Sequence, residues 1–246
     1  MTLIFVVSVA LQFFCLVHMV RSGRPYWWLW VILVGSFLGC AVYVFTQVLP
    51  DLRHDPRARR AVRGIKRAID PERERKRIEA ELEVADTVQN RLRLAHECLA
   101  LGDPLNAEEL FQGCLKGPHA NEPDIMLGLA RAQFARGDAK AACATLEALI
   151  AANPSYRSAE GHLLYARALE GVGEFDKALG EYQVLAEGYP GEEGRARYAL
   201  LLKRANRLME AQAVFKQMLA RAKVAPRYYQ REQREWIELA REQLSA

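Results

Sequence analysis

The stretch LGLARAQFARGDAKAACATLEALIAANP (residues 127–154) is followed by a near-copy, LLYARALEGVGEFDKALGEYQVLAEGYP (residues 163–190). Ala130 aligns with Ala166 and Gly137 with Gly173, in both cases at an offset of 36 residues. Self-similarity at a fixed period of this size is typical of stacked helical repeats, in which each unit buries its apolar face against the next. The pair therefore predicts an all-α solenoid.

Two weaker copies of the same pattern lie on either side of this pair. Each copy has a small residue, a turn residue, a second small residue and a large apolar residue. In chain order these positions are Ala95, Gly102, Ala107 and Phe111; Ala130, Gly137, Ala142 and Leu146; Ala166, Gly173, Ala178 and Tyr182; and Ala199, Asn206, Ala211 and Phe215. Asn206 replaces the turn glycine in the last copy, and Asn tolerates a left-handed backbone conformation. Four units exceed the three that a continuous core needs.

This pattern resembles the tetratricopeptide repeat, a helix–turn–helix unit of about 34 residues with small residues where its helices touch and a proline after the second helix. Pro154 and Pro190 take that proline position. The resemblance implies a tetratricopeptide domain at residues 79–246, with repeats at about 88–122, 123–158, 159–191 and 192–222.

Both ends of such an array need a cover for their apolar surface. The charged segment before the first repeat has Ile78 and Leu82 on one helical stripe, which predicts that it covers the first repeat. Residues 227–244 are predicted to form a capping helix with Trp236 facing inward. The alternative for Trp236 is a dimerisation surface, which would make the chain a homo-oligomer.

The resemblance also implies a protein or peptide partner, because the first helices of such repeats line a concave surface on which partner segments usually lie. The positions predicted to face this groove are Leu92, His96, Leu127, Arg131, Phe134, Leu163, Arg167, Leu200 and Lys203. A row of leucines beside a row of basic residues suits a segment with apolar anchors and acidic flanks. The alternative is that Arg131 and Arg167 bridge to Glu160 and Glu193 on neighbouring repeats.

The first fifty residues contain no Asp or Glu, and two apolar runs at 2–20 and 27–49 each reach the length of about 20 residues that a membrane-spanning helix needs. Basic residues cluster after the second run, so the positive-inside rule predicts two spans in a bacterial inner membrane with both termini in the cytoplasm. Gly35 and Gly39 form a GxxxG pattern, which predicts close packing of another helix.

The run that starts at Phe13 and continues through RSGRPYWWLWVILVGSFLGCAVYVFTQVLPDLR resembles the N-terminal two-helix membrane segment of cardiolipin synthases and related phospholipase D-type proteins. The catalytic pattern of that family is H-x-K-x4-D. None of the five His residues of this chain has a Lys two positions further on. The resemblance therefore implies a membrane anchor without the catalytic part.

Residues 51–78 carry eleven Lys or Arg against five Asp or Glu. The segment is predicted to include a basic amphipathic helix that lies on anionic membrane lipid, and a solvated linker helix is the alternative. Its membrane-surface residues are Arg57, Arg59, Arg60, Arg63, Lys66 and Arg67. No Phe, Tyr or Trp interrupts the segment, which disfavours a nucleic-acid partner.

No catalytic motif is found: the sequence has no HExxH, no phosphate-binding loop and no Cys/His pairing of the metal-binding kind. The five Cys lack a CxxC pair, which predicts free thiols in a reducing compartment. We therefore expect no enzymatic activity, no metal and no cofactor. The preferred hypothesis is a membrane-anchored scaffold that binds a protein partner at the cytoplasmic face of a bacterial inner membrane. The alternative is an accessory subunit of a membrane enzyme in lipid or envelope metabolism, engaged through the predicted transmembrane hairpin.

Overall fold

A computed structural model describes residues 2–22, 25–48 and 70–245 of the chain. The chain divides into two compact units, Met1–Arg73 and Glu74–Ala246. The described residues of both units form helices joined by turns and short irregular segments, and no strand occurs among them. Within the described residues, the N-terminal unit has one buried cluster, and the second unit has four.

The N-terminal unit contains one long helix and a broken one. Its elements are α1 (Thr2–Arg21), α2 (Trp27–Val34), α3 (Ser36–Tyr43) and a π-helical turn at Val44–Val48. Their buried side chains are Cys15, Met19, Trp28, Ile32, Cys40 and Tyr43. Two polar groups of α1 bond to the broken helix: Gln12 Nε2 donates to the carbonyl oxygen of Ile32 at 3.3 Å, and His18 Nδ1 lies 3.1 Å from the Tyr43 hydroxyl.

The predicted membrane spans are corrected by this geometry. The run at 27–49 is not one helix, since α2 and α3 have eight residues each. At 1.5 Å per residue each covers about 12 Å, against the roughly 30 Å of a bilayer core. In the parts of the chain that the structure describes, no helix combines the length and the apolar character that crossing a bilayer requires. The predicted localisation, a two-span protein of a bacterial inner membrane, is therefore wrong, and the accessory-subunit hypothesis, which needs that hairpin, loses its basis.

The two glycines of the GxxxG pattern allow this break. A Cβ built on Gly35 would lie 2.5 Å from the carbonyl oxygen of Val31, and one built on Gly39 would lie 2.0 Å from the same oxygen. No real side chain tolerates such distances, so glycine is required where α3 folds back against the end of α2. The close contact at these glycines lies within one segment and involves the backbone of Val31. The predicted packing of another helix against them stays a prediction.

The basic segment next to the predicted hairpin is not described. Arg57, Arg59, Arg60, Arg63, Lys66 and Arg67 all lie outside the described residues. Their binding of anionic lipid stays a prediction.

The second unit is a series of helical hairpins. Its helices are α4 (Arg73–Val84), α5 (Val88–Ala100), α6 (Pro104–Cys114), α7 (Pro123–Ala135), α8 (Ala139–Ala152), α9 (Ala159–Val172), α10 (Phe175–Gly188), α11 (Glu193–Arg204), α12 (Leu208–Val224), α13 (Arg227–Glu232) and α14 (Arg234–Ser245). From α5 to α12 each helix packs against the next one in the chain, and α14 packs against α12. A short 3₁₀ turn, Gly117–His119, lies between α6 and α7.

Left-handed residues mark the four hairpin turns. Gly102, Gly137 and Gly173 have φ of 79°, 91° and 92°, and Asn206 has φ of 61°. Asn206 is the one residue other than glycine with positive φ among the described residues. The prediction that Asn replaces Gly in the last turn is confirmed at the level of the backbone.

The repeated small and large residues form the core between the helices. All twelve are buried: Ala95, Ala107, Phe111, Ala130, Ala142, Leu146, Ala166, Ala178, Tyr182, Ala199, Ala211 and Phe215. In the third repeat Ala166, Ala178 and Tyr182 belong to one buried cluster, so the two helices approach closely at alanine and the aromatic ring fills the space beside them. Burying a large apolar side chain of this kind contributes about 1.5–3 kcal/mol.

Both ends of the array are covered. At the start, Ile78 is buried and Leu82 half-buried against the first repeat. At the end, Trp236 packs half-buried on the cluster of the last repeat. The predicted single capping helix is instead two helices, α13 and α14, which meet at Gln233. At this break the side-chain amide oxygen of Gln233 accepts the backbone N–H of Glu192 at 2.8 Å, which bonds the cap to the start of α11.

Two second helices begin with equivalent aspartate caps. The carboxylate of Asp103 accepts the backbone N–H of Asn106, and that of Asp138 accepts the backbone N–H of Ala141 at 2.9 Å. Each of these capping hydrogen bonds provides a partner for a backbone N–H that has none within its own helix. The later helices α10 and α12 have no such side-chain cap.

We predict opposite effects of the same substitution at two kinds of glycine. Gly137→Ala places an L side chain in a left-handed conformation, so the free energy of unfolding should fall by about 1 kcal/mol. Gly180→Ala, on the exposed surface of α10 with no atom within 4 Å of the new Cβ, should raise it by about 0.5–1 kcal/mol, because alanine favours the helix. Urea denaturation followed by circular dichroism measures both. Equal signs for the two variants would contradict the left-handed turn.

The Asp138 cap predicts a pH dependence of stability. Its carboxylate accepts the Ala141 N–H and lies beside Arg136, and these contacts hold the pKa of Asp138 below its usual value. Because the folded pKa is lowered, this stabilisation is present above the unfolded pKa of about 3.9 and is lost as the pH falls through the folded pKa. Asp138→Asn should keep the cap but lose this pH dependence, whereas Asp138→Ala should be less stable than Asp138→Asn at pH 7 and pH 3 alike. An Asn variant with the same acid dependence as the native chain would contradict this assignment.

Candidate functional site

The helices α5, α7, α9 and α11 form one surface of the array, the first-helix face. Two of its predicted leucine anchors, Leu127 and Leu163, are only 6% and 5% exposed. Leu92 and Leu200 are half-buried, each against a core cluster. These leucines mostly pack between repeats, so the apolar anchor row predicted for this face is part of the core.

The arginines of the first-helix face connect successive repeats. Arg131 on α7 forms an ion pair with Glu160 on α9. Arg167 on α9 lies 3.7 Å from the carboxylate of Glu193 on α11, and its guanidinium lies over the ring of Phe134 on α7, 4.9 Å from the centroid. The alternative that the sequence left open is therefore present in the structure. Each arginine is about one-third exposed, so each also remains within reach of solvent.

His96 lies at the α5 end of this face. His96 as a whole is exposed, but its ring packs edge-on against Phe111, with 5.1 Å between the ring centroids. Partial burial lowers the pKa of His96, and the charge of Arg131 lowers it further. The imidazole is therefore neutral at physiological pH and offers a hydrogen bond rather than a charge.

The α11 end of the face is bonded to the capping helix. Lys203 Nζ donates to Gln243 Oε1 at 2.8 Å, and the Arg197 guanidinium lies over the Trp236 ring at 5.4 Å. Arg197 also donates to Glu193 at 2.8 Å. Lys203, which the sequence placed in the groove, is thus exposed next to α14 at the edge of the array.

A crevice of about 360 Å³ between the second and third repeats was not predicted. Its walls are mainly apolar and come mostly from α8, the loop that follows it, and α9, with one residue each from α7 and α10. They include Leu127, Leu146, Leu149, Ile150, Tyr156 and Tyr165. Leu127 is the one predicted groove residue that reaches this crevice. Tyr156 links the crevice to the first-helix face, because its hydroxyl donates to the Asp124 carboxylate of α7 at 2.9 Å.

Polar groups line one side of the crevice. His162 Nε2 lies 2.6 Å from a carboxylate oxygen of Glu181. The pKa of the Tyr165 hydroxyl is raised to about 12, by burial and then by the charge of Glu147, so it remains protonated at neutral pH. Glu181 lies 19 residues after His162 in the sequence, so the two side chains meet only when α9 and α10 pack together.

A buried ion pair at the start of α11 was also missed. Glu192 is fully buried and Arg195 is 2% exposed, with 3.5 Å between their charged groups. Arg195 also donates to the Gly191 carbonyl oxygen at 3.0 Å, and the Tyr229 hydroxyl donates to Glu192 at 2.8 Å. Removing one partner of a buried pair costs about 3–5 kcal/mol. This network holds α13 against the last repeat, so we assign it to stability.

The chemistry available on these surfaces is recognition by packing, hydrogen bonds and charge. Among the described residues, no group of three or more His, Cys, Asp or Glu is arranged to hold a metal ion.

Comparison with known proteins supports the fold. Residues 99–167 match a tetratricopeptide repeat family model. No curated protein matches the sequence. The match leaves the N-terminal segment uncovered, so the resemblance of that segment to cardiolipin synthases is not supported.

Several solved structures have the same arrangement of helices. A thermophilic tetratricopeptide repeat protein of Thermus thermophilus aligns with a TM-score of 0.53 and 21% identity, over 70% of this chain and 89% of that one. Two crystal structures of MamA align with TM-scores of 0.51 and 0.54 and identities of 18% and 22%. These alignments cover 78% and 66% of this chain and 95% and 92% of the MamA chains. At such identities the likeness concerns the fold alone. Residues 99–167 therefore resemble tetratricopeptide repeats, and the second unit has the helical repeat fold of these solved structures.

Proposed function

We propose that the second unit is a scaffold that binds a segment of a partner protein across the first-helix face, with one aliphatic side chain of that segment in the crevice between the second and third repeats. The observation that carries this proposal is the crevice itself. Its volume of about 360 Å³ and its leucine, isoleucine and tyrosine walls suit one or two apolar side chains, and Tyr156 connects it to the first-helix face.

Two arginines of the first-helix face, Arg131 and Arg167, support an acidic contact beside this anchor. Surface ion pairs contribute only about 0.2–1 kcal/mol, so a partner carboxylate can replace the repeat's own glutamate at little cost. Glu160 is 72% exposed and free to move away from Arg131. Arg167 is the more distant of two arginines that share Glu193, since Arg197 lies 2.8 Å from that carboxylate. Both Arg131 and Arg167 are therefore suited to exchange their partner.

The absence of enzymatic activity stays part of this proposal. His162 and Glu181 form a close pair that lines the crevice, but the pair needs an oriented substrate and a third group to act as a nucleophile or base. We assign it instead to the rim of the binding crevice, where a histidine and a carboxylate orient a polar backbone group of the bound segment.

The crevice predicts a specific loss of binding in Ile150→Glu. Ile150 is 53% exposed, so the variant should fold normally while placing a charge at the mouth of an apolar crevice. Peptides of about 12 residues are first selected from a random displayed library on the full chain, and the Kd of a labelled selected peptide is measured by fluorescence anisotropy. The Kd should rise about tenfold or more, the effect of losing about 1.4 kcal/mol.

Val184→Glu is the matched control for this measurement. Val184 is 60% exposed on α10 and does not line the crevice. Its variant should change the Kd less than about twofold. Equal losses in the two variants would show that added negative charge, rather than the crevice, reduces binding.

A charge swap separates the two roles of Arg131. Arg131→Glu faces Glu160 and should lower the free energy of unfolding by up to about 1 kcal/mol, and adding Glu160→Arg should restore it. Binding should not be restored by the swap, because the partner's acidic group still requires a cation at the position of Arg131. Thermal unfolding and anisotropy with the same labelled peptide measure the two effects. Recovery of both stability and affinity in the double variant would assign Arg131 to repeat stacking alone.

A further inference from the structure

A second cleft lies at the C-terminal end of the array, between α12 and the pair α13 and α14. Its volume is about 670 Å³, larger than the crevice between the second and third repeats. Its floor is apolar, from Leu219, Ala222 and Ile237. The rest of its lining is mainly basic, with Lys223 from α12 and four arginines from α13 and α14. The helices that form this cleft do not contribute to the first-helix face.

Helical spacing brings the four arginines to one side. Arg227, Arg231 and Arg234 are separated by four and three residues, and Arg241 follows seven residues after Arg234. Residues three, four and seven apart lie on the same face of a helix. The break between α13 and α14 does not disturb this, because all four arginines line the same cleft in the structure.

The positive charge of this cleft is poorly balanced. Glu238 is its one acidic lining residue, and it pairs with Arg234 at 2.7 Å. For Lys223, Arg227, Arg231 and Arg241 the described residues provide no ion pair. Elsewhere on the array most arginines are paired with carboxylates, as Arg131 is with Glu160 and Arg204 with Glu170. Like charges held together repel one another, and an anionic occupant removes that repulsion.

We propose that this cleft binds an acidic segment of a partner polypeptide that carries an aliphatic side chain. The carboxylates would meet the unpaired Lys and Arg side chains of the rim, and the aliphatic side chain would cover Leu219 and Ile237 on the floor. The side-chain N–H groups of Gln230 are not available to these carboxylates, since they already donate to the carbonyl oxygens of Ala222 and Ala225, both at 2.9 Å. The site is separate from the first-helix face, so it does not depend on the function proposed for that face.

The lining of the cleft favours a polypeptide over a nucleic acid. Proteins that bind single strands combine a basic groove with aromatic side chains on which the bases stack. No aromatic residue is among those that line this cleft. Aliphatic side chains on its floor offer a base no stacking surface but are a good surface for leucine or isoleucine. Basic side chains around an aliphatic floor therefore favour an acidic peptide over a nucleic acid.

The test uses the full chain and a labelled synthetic peptide rich in glutamate that contains two leucines, together with its counterpart in which every Glu is Gln. Binding is followed by fluorescence anisotropy at low and at physiological ionic strength. The acidic peptide should bind at least about tenfold more tightly than its neutral counterpart, and added salt should weaken it. Arg231→Glu combined with Arg241→Glu should reduce its affinity by about tenfold or more.

Lys116→Glu combined with Lys140→Glu is the matched control, because both lysines are exposed and lie outside the cleft. This variant has the same change in net charge and should alter the affinity less than about twofold. Val184→Glu, at an exposed position outside both the cleft and the crevice, should also leave it unaltered. Circular dichroism confirms that each variant is folded.

Three results would overturn the proposal. One is an equal loss of affinity in the cleft and control variants, which would show that the net charge of the protein, and not the cleft, determines binding. Another is tighter binding of an oligothymidine than of the acidic peptide, which would make the occupant a nucleic acid. The last is a concentration-dependent dimer in analytical ultracentrifugation that is lost in the Arg231→Glu, Arg241→Glu variant, because a second copy of the chain would then occupy the cleft.

Discussion

The close approach of two helices at alanine is the contact on which the repeat array depends. Ala166 and Ala178 have no exposed surface, and the turn between their helices requires a left-handed residue, Gly173. A larger side chain at either alanine would push the helices apart, and the aromatic ring of Tyr182 would lose its place beside them. Because the same arrangement occurs in each repeat, this one local geometry is propagated along the second unit.

In the function proposed above, the first-helix face serves both stacking and recognition with the same side chains. Arg131 and Arg167 connect neighbouring repeats through glutamates, while each remains about one-third exposed. Exposed ion pairs are weak enough to exchange, which allows a surface that stabilises the array a little also to receive an external carboxylate. The buried pair of Glu192 and Arg195 is different, because its charges have no contact with water and no external group replaces either partner without a large penalty.

The repeat pattern predicted the fold well because the residues that carry it act locally. Small residues and turn residues belong to one hairpin, and their effect does not depend on distant contacts. The site was predicted less well. Helical spacing placed Leu127 and Leu163 on the inner side of their helices, but it does not distinguish a side that faces an open groove from one that faces the next repeat. The glutamates beside Arg131 and Arg167 were recognised only as an alternative. Spacing alone does not show whether an arginine pairs with a glutamate of the neighbouring repeat or with a carboxylate of a bound protein.

By itself, the sequence determined the helical repeat, its turn residues and its alanine contacts, because the repeat period and the backbone preferences of the turn residues depend only on local sequence. Tertiary structure alone decided how those helices are used. It bent the apolar run after Trp27 at Gly35, where hydropathy detects no break because glycine and its neighbours are all apolar or small. It also brought His162 to Glu181 and gathered four arginines of α13 and α14 beside Lys223 of α12. These groups meet only when separate helices pack, so their chemistry depends on distances that no local pattern records.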